Sequence, residues 1–401
     1  MTAMSYLQRN TPAFKRANLA LFAGGFSTFA ILWGTQPLLP EIAEEFHVSP
    51  AMASLTQSSA TIALAVGLLI AGSLSEVFGR KSIMAFSLFI SSVIALFTGL
   101  SSSFELLVLS RALQGLTLAG LPAVAMAYLG EEIEFKSLGM AMGLYISGNS
   151  IGGMTGRILS GILTDYFSWH VALAGVGALS LLASFAFLFL LPPSRHFEAK
   201  SFSLLPLIRS MGSHLKVRGL VYLFLIGFLL MSGFVSLYNY IGFELIAPPY
   251  SLSQTLVGFI FIVYIVGTFS STWMGMLADQ VGKKKILLLC LFIFLAGTVC
   301  TLHPALWIKI IGIAIFTFGF FAAHSIASSW VGLLATHDKA QASSLYLFGY
   351  YAGSSIGGTI SGSFYHDFGW AGIVGMIVIL GCISVVLALS LNERGNLQET
   401  H

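Results

Sequence analysis

Charged side chains are scarce in this sequence. Only 9% of its 401 residues are Asp, Glu, Lys or Arg, whereas 56% are apolar and the mean hydropathy is +0.89. In soluble domains about a quarter of the residues are charged, so a chain this long with so few cannot cover its surface with polar groups. This scarcity excludes a water-soluble protein and predicts one that is surrounded by lipid.

Cysteine is rare as well, and the three cysteines (Cys290, Cys300 and Cys382) all fall in apolar segments. Their spacing does not match the CxxC patterns of metal or redox sites, so we interpret them as packing residues. The ATP-binding sequence G-x-x-x-x-G-K-[ST] is absent from the sequence. Any energy that the protein needs is therefore expected to come from an ion gradient rather than from ATP. We expect no cofactor and no metal, and the lack of a nucleophile–base or metal-ligand cluster disfavours an enzyme.

Long apolar runs fill most of the chain. A helix needs roughly 20 mostly apolar residues to cross a ~30 Å hydrocarbon core. The runs are continuously apolar rather than alternating, which favours helices over the strands of a membrane barrel. The sequence therefore predicts an all-α membrane protein with twelve transmembrane helices, called spans one to twelve, near residues 17–38, 52–75, 82–100, 105–128, 138–165, 169–191, 218–242, 254–277, 286–302, 305–335, 340–366 and 369–391.

Basic residues are distributed unevenly between the loops. With the N-terminus inside, the first outer loop carries Glu41, Glu44 and Glu45, and sixteen of the nineteen lysines and arginines fall in cytoplasmic segments. This asymmetry predicts both termini in the cytoplasm. The net charge of +3 then describes topology, and no nucleic-acid partner is expected. The sixteen are Arg9, Lys15, Arg16, Arg80, Lys81, Lys136, Arg195, Lys200, Arg209, Lys216, Arg218, Lys283, Lys284, Lys285, Lys339 and Arg394.

Two short sequences occur twice. GSLSEVFGRKS at 72–82 is echoed by GMLADQVGKKK at 275–285, and GNSIGG at 148–153 by GSSIGG at 353–358. Duplicated halves that handle a substrate between them are a known design of secondary transporters. We predict two six-helix halves, with boundaries at 1–16 (cytoplasmic N-terminus), 17–191 (first half), 192–217 (cytoplasmic central loop), 218–391 (second half) and 392–401 (cytoplasmic tail).

These motifs resemble those of the major facilitator superfamily. GSLSEVFGRKS is similar to its loop motif G-x-L-a-D-r-x-G-r-k, with Glu76 in place of the usual Asp. Arg111-Ala-Leu-Gln114-Gly115 resembles the R-x-x-Q-G pattern of its fourth span. Gly148, Gly152 and Gly156 resemble the fifth-span motif of its drug–proton antiporters, although the proline that usually follows the middle glycine is missing. The resemblance implies a twelve-helix cell-membrane transporter of small molecules, which we expect to be a monomer.

The duplicated loops are candidates for a cytoplasmic gate. Glu76 and Arg80 stand at i and i+4 with the acid first, the favourable order on a helix. Their glycines permit a tight turn and close helix approach. The alternative is that the basic residues only anchor the helices at the membrane surface. The gating candidates are Gly72, Glu76, Gly79, Arg80, Lys81, Gly275, Asp279, Gly282 and Lys283.

Ionisable residues within spans are functional candidates, because a charge at that depth is costly. The resemblance assigns Arg111, with Gln114 on the same face, to proton coupling or substrate handling. An arginine extending to the outer interface is the alternative. Pro122 is expected to interrupt this span. Arg157 belongs to a span-five stripe, and we expect it to serve substrate or coupling, or to form a structural pair. The span-five stripe comprises Asn149, Gly153, Arg157, Gly161 and Asp165.

His324 lies mid-span in span ten. Its reference pKa near 6.5 suits a proton carrier, although a buried packing histidine is the alternative. Aromatic and amide side chains could line a pocket for an apolar organic compound, or they could simply pack in the interior. These pocket candidates are Trp33, Gln36, Tyr238, Asn239, Tyr346 and Tyr350.

Proton-coupled export of small organic compounds by alternating access is the leading prediction. Uptake of an anionic or sugar-like solute is the alternative, motivated by Arg111 and Arg157. A non-transporting membrane receptor would need a sizeable soluble output domain, and the longest predicted loop, 192–217, is too short to hold one.

Overall fold

The computed structural model describes residues 6–9, 11–197 and 204–392, without the side chains of 204–208. Lys200, Arg394 and nearly all of the predicted tail therefore lie outside the described residues. Two 3-10 turns, Gln36–Leu38 and Phe261–Val263, join α-helices. The α-helices are Pro12–Gly34, Leu39–Glu45, Pro50–Phe78, Arg80–Thr98, Phe104–Leu118, Gly120–Glu132, Phe135–Tyr166, Trp169–Leu190, Leu204–His214, Arg218–Ile246, Gln254–Ile260, Tyr264–Val281, Lys283–Cys300, Leu306–Leu334 and Lys339–Leu389.

All twelve predicted spans coincide with helices. In the described part of the chain, nine helical stretches are long and apolar enough to cross a membrane. The longest, Lys339–Leu389, holds spans eleven and twelve, which meet at Gly369 where φ is +59°. Phe135–Tyr166 and Lys283–Cys300 supply spans five and nine; the first is rich in glycine and the second begins with three lysines. The all-helical membrane fold is confirmed.

Prolines explain two interruptions in the spans. Span four breaks at Ala119, just before Pro122, and so interrupts as expected. A proline has no N–H to donate, and its ring crowds the carbonyl four residues earlier. In span one the α-helix ends at Gly34, and the span continues as the 3-10 turn that contains Pro37.

The chain forms two compact units. The first comprises Met1–Phe46, Ser59–Leu204 and Ser253–Phe259. The second comprises His47–Ser58, Leu205–Leu252 and Ile260–His401. The first residues of span eight thus belong to the first unit, and those of span two to the second. The predicted boundary between six-helix halves at 192–217 stays a prediction.

In each unit, glycines let neighbouring spans pack backbone to backbone. In the first unit, a Cβ at Gly148 would lie 2.5 Å from the carbonyl oxygen of Phe22, and one at Gly152 would collide with the backbone of Phe26. Gly353 of span eleven stands in the same relation to Phe228 of span seven in the second unit. The face of span five that carries Gly148, Gly152 and Gly156 therefore lies against span one, where glycine permits close approach.

Candidate functional site

The duplicated loops share one backbone geometry. Gly79 has a φ of +93° and Gly282 a φ of +114°, values that other residues rarely adopt. Each glycine immediately precedes a helix, Arg80–Thr98 or Lys283–Cys300. The second glycine of the repeated motif is thus required by the turn, as the sequence predicted from glycine's conformational freedom.

Arg80 of the first loop is bound mainly by a residue that the sequence analysis missed. Its Nη2 lies 2.7 Å from Oε1 of Glu131, at the end of span four, and its Nη1 donates to Ser75 Oγ at 2.6 Å. The predicted partner, Glu76, is 3.9 Å away. The guanidinium is nearly buried, so it needs the closer carboxylate. The sequence feature that could have revealed this partner is the adjacent pair of acids, Glu131 and Glu132, just after predicted span four.

The second loop pairs its charges locally. Lys283 Nζ donates to Asp279 Oδ1 at 2.8 Å, one turn earlier, and lies 3.3 Å from Ser329 Oγ. Gly275 precedes Asp279 by one helical turn, as Gly72 precedes Glu76 in the first copy. The two copies therefore share the backbone turn. Their acids differ, because Asp279 pairs closely with the basic residue of its own loop whereas Glu76 does not.

The next lysine in each loop caps the last helix of its predicted half. Lys81 Nζ donates to the carbonyl of Leu191 at 2.5 Å, and Lys284 Nζ donates to those of Leu389 at 2.6 Å and Leu391 at 2.8 Å. The last carbonyls of a helix lack partners within the helix, and a cation there is favourable. Each copy of the loop therefore places a lysine at the end of the last helix of its predicted half.

Arg111 is buried and binds the end of span one. Its Nη1 donates to the carbonyl of Ile31 at 3.1 Å, and its Nη2 to that of Leu32 at 2.8 Å. Gln114 Oε1 accepts a further bond at 2.5 Å. Both carbonyls lie in the last turn of the helix Pro12–Gly34, where carbonyls need outside donors. The predicted Arg111–Gln114 pair is therefore brought together, but deep in the unit rather than at the outer interface.

Arg157 meets two of the predicted pocket residues in the first unit. Its Nε donates to Gln36 Oε1 at 2.8 Å, and its guanidinium carbon lies 4.8 Å from the centre of the Trp33 ring. Nη1 donates to the carbonyl of Gly153, one turn earlier. Only 1% of Arg157 is exposed. Two arginines, from spans four and five, thus hold the end of span one.

The rest of the span-five stripe also makes contacts. Asn149 lies against Gly25 of span one. Gly161 packs on Gln254, and Asp165 accepts hydrogen bonds from the backbone N–H groups of Gln254 at 3.0 Å and Thr255 at 2.7 Å. The stripe therefore lies against span one near its middle and against the first residues of span eight near its predicted outer end.

His324 lies beside tyrosines of span eleven. Its Nδ1 is 2.8 Å from the hydroxyl of Tyr346, and the ring centres of His324 and Tyr350 are 4.4 Å apart. The same Tyr346 hydroxyl can donate to the carbonyl of His324 at 3.4 Å. His324 is half-buried and Tyr346 is buried. The structure thus brings His324, Tyr346 and Tyr350 together, with the first two joined by a hydrogen bond and the third in ring contact.

Tyr238 and Asn239 are packed in the interior of the second unit. The Tyr238 hydroxyl is 2.7 Å from Thr317 Oγ1 of span ten, and its ring contacts those of Phe234 and Phe261. Asn239 is 1% exposed and lies against Gly358. These positions match the packing alternative more closely than a pocket wall.

A buried ion pair in the second unit was missed by the sequence analysis. Lys309 Nζ lies 2.8 Å from Oε1 of Glu244, and the lysine side chain is only 2% exposed. The signal was present, because Lys309 falls inside predicted span ten, where any charge is a functional candidate. Glu244 lay just beyond predicted span seven.

Comparison with known proteins identifies the family of the sequence. The family model described as Major Facilitator Superfamily matches residues 21–245 and 234–400. The chain is 53% identical to the uncharacterized MFS-type transporter YybF of Bacillus subtilis, over 96% of this chain and 95% of the relative. It is 44% identical to the inner membrane transport protein YnfM of Escherichia coli, over 97% and 93%.

Solved structures share this architecture at low sequence identity. A bacterial homologue of the lysosomal transporter Spinster, inward-facing and occupied, matches with a TM-score of 0.77 at 14% identity, covering 95% of this chain and 97% of that one. The D323A mutant of the nucleoside transporter NupG matches with a TM-score of 0.75 at 17% identity, covering 94% and 98%. At such identities the likeness concerns the fold alone.

Proposed function

Because the chain belongs to the major facilitator superfamily and is a multi-pass transporter of the cell membrane, we propose that it exports small organic compounds in exchange for protons. The observation that carries this proposal is the hydrogen bond between His324 and Tyr346. Export, rather than uptake, is supported by the resemblance of the span-five glycines to those of drug–proton antiporters.

The His324–Tyr346 pair can hold a hydrogen bond in both protonation states. With neutral His324, Nδ1 accepts from the Tyr346 hydroxyl. With protonated His324, Nδ1–H donates to the Tyr346 oxygen, and the hydroxyl hydrogen turns to the carbonyl of His324. Neither state leaves the imidazole Nδ1 without a partner, which lowers the cost of changing its charge in an apolar setting.

The aromatic surroundings of this pair suit an apolar or aromatic cargo. Tyr350 and Phe320 have ring centres 4.4 and 6.1 Å from that of His324. Binding sites for organic molecules are typically apolar and aromatic with a few polar groups. A cargo that bears one hydrogen-bonding group would fit this composition.

Proton flux in proteoliposomes tests the proposal. A pH-sensitive dye in the lumen reports protons that cross when each member of a panel of aromatic amines, aromatic acids and sugars is added. We expect a compound-dependent flux whose direction opposes that of the compound. Flux in the same direction as the compound would indicate uptake with protons, and no flux with any imposed gradient would overturn proton coupling.

Uptake of an anionic solute is a second candidate, favoured by Arg157. The side chain keeps its positive charge at any physiological pH and is held by Gln36 and Trp33 in the interior of the first unit. In the same assay, this function predicts that aromatic acids enter together with protons while amines have no effect.

A further inference from the structure

Lys309 occupies an unusual position for a lysine. It is the fourth residue of the helix Leu306–Leu334, close to the predicted outer surface, yet only 2% of its side chain is exposed. Its ammonium is 2.8 Å from Glu244, whose side chain is 22% exposed. The lysine side chain is therefore buried, while the Glu244 side chain remains partly exposed.

Two aromatic rings also contact the lysine. Lys309 Nζ lies 5.0 Å from the centre of the Trp370 ring and 5.3 Å from that of Tyr250. Both rings are fixed by their polar ends: Trp370 Nε1 donates to the carbonyl of Thr301 at 3.1 Å, and the Tyr250 hydroxyl to that of Pro304 at 2.7 Å. Among the described residues, the ammonium thus contacts three side chains, of which Glu244 alone is charged.

This arrangement changes the usual balance of a buried ion pair. Neutralising one member of such a pair normally leaves the other charge buried without compensation. Here the faces of Trp370 and Tyr250 can hold the ammonium by cation–π attraction after Glu244 has become neutral. The cluster is consequently built so that the carboxylate can change its charge while the lysine keeps its own.

We infer that Glu244 is a proton-binding group of the transport cycle, one that takes its proton from the predicted outer side. The carboxylate gains one proton from solvent, no other bond is broken, and the Glu244–Lys309 pair changes from neutral to a charge of +1. Among the described residues, titratable side chains near the pair include Tyr365, close to Glu244, and Tyr250, whose ring lies against the Lys309 ammonium. This role rests on the proton coupling proposed above.

The position of Lys309 on span ten supports this role. Three buried or half-buried polar residues of that span are each matched by a partner from the helix Arg218–Ile246 or from span eleven: Lys309 by Glu244, Thr317 by Tyr238, and His324 by Tyr346. At 1.5 Å per residue, Lys309 and His324 are separated by about 22 Å along the helix. Span ten therefore contacts the proposed proton-binding group, Glu244, through Lys309 at its predicted outer end, and carries His324, the group proposed above to carry the proton, farther along.

Chemical modification can detect protonated Glu244 without knowledge of the substrate. Dicyclohexylcarbodiimide adds to protonated carboxyl groups in apolar surroundings, and peptide mass spectrometry locates the product. In full-length protein in liposomes, we expect modification of Glu244 to increase as the pH falls. Asp367, an exposed acid of the same unit, serves as the internal control for solvent-accessible carboxylates.

Two variants should move the pH midpoint of this modification in opposite directions. Trp370→Leu removes one partner of the ammonium, so the neutral carboxyl becomes less favourable and the midpoint falls by about one pH unit. Lys309→Met removes the charge that holds the carboxylate ionised, so the midpoint rises. Tyr250→Leu should act like Trp370→Leu and replaces it if that variant does not fold. Modification without pH dependence, or midpoints unmoved by these variants, would overturn the inference.

Measurements of proton transport test this inference separately from the proposed function. Glu244→Gln should reduce pH-driven flux at least about tenfold while exchange of cargo at equal pH persists. If the unaltered protein shows pH-driven flux and Glu244→Gln matches it, the inference is wrong while the proposed function stands. If the unaltered protein shows no such flux under any gradient, proton coupling itself fails.

Discussion

The guanidinium of Arg80 is held by the carboxylate of Glu131, at 2.7 Å, rather than by Glu76 one turn away, at 3.9 Å. The bond joins the loop after span two to the end of span four within the first unit. It is also better shielded than the local pair, because the Glu131 side chain is 30% exposed and that of Glu76 41%.

The two acids should therefore contribute differently to stability. Glu131→Gln leaves a nearly buried guanidinium without its main counter-charge, so we expect the free energy of unfolding to fall by about 1–3 kcal/mol. Glu76→Gln should cost less than about 1 kcal/mol, as is typical of exposed pairs. Thermal unfolding in detergent compares them, and an equal or reversed order would contradict this account of the loop.

Glycines of span five offer a matched pair of substitutions. Gly152→Ala adds a methyl group that collides with the backbone of Phe26, so spans one and five must separate and stability should fall. Gly143→Ala meets nothing within 4 Å and should stabilise the same helix by up to about 1 kcal/mol through helix propensity. The melting temperatures of the two variants, compared with that of the unaltered protein, test these opposite effects. An unchanged melting temperature in Gly152→Ala would show that spans one and five do not pack closely at this position.

Arg157 should affect binding more than folding. Arg157→Lys cannot reproduce the two directed bonds to Gln36 and Gly153, so we expect the KM for a transported compound to rise about tenfold, or about 1.4 kcal/mol. Arg218→Lys, at an exposed arginine, is the control and should leave KM unchanged. Initial transport rates measured against concentration provide the values. A lower maximal rate at unchanged KM would indicate a structural role instead.

His324→Gln should separate transport from the proton gradient. Glutamine retains hydrogen-bonding groups but cannot take up a proton, so exchange of cargo should persist while a pH gradient no longer drives net flux. His366→Gln, at a side chain that is 71% exposed, is the matched control. An unchanged pH-driven flux in His324→Gln would remove His324 as the carrier and leave Glu244 as the remaining candidate of span ten and its partners.

Surface labelling tests the predicted orientation. In a background without Cys290, Cys300 and Cys382, a cysteine at the exposed position Lys285 should react with an impermeant maleimide only when the cytoplasmic side is accessible. A cysteine at the exposed position Glu44 should react in intact cells. Reaction of the Lys285 cysteine in intact cells would reverse the assigned topology.

Much of the architecture follows from local properties of the sequence. A run of apolar residues is costly to expose to water wherever it lies, so the spans could be placed without knowledge of their neighbours. Gly79 and Gly282 were recognisable in the same way, because the turn requirement belongs to the residue itself. Pro122 likewise marked its own helix break.

Partners of the charged residues depended on the tertiary structure. Glu131 is 51 residues from Arg80 in sequence, and Glu244 is 65 residues from Lys309. Helix spacing can suggest a pair at i and i+4, as it did for Glu76, but it carries no information about which span ends meet. Only the packing of spans decides this, because a buried charge binds whichever carboxylate or carbonyl the fold brings within reach.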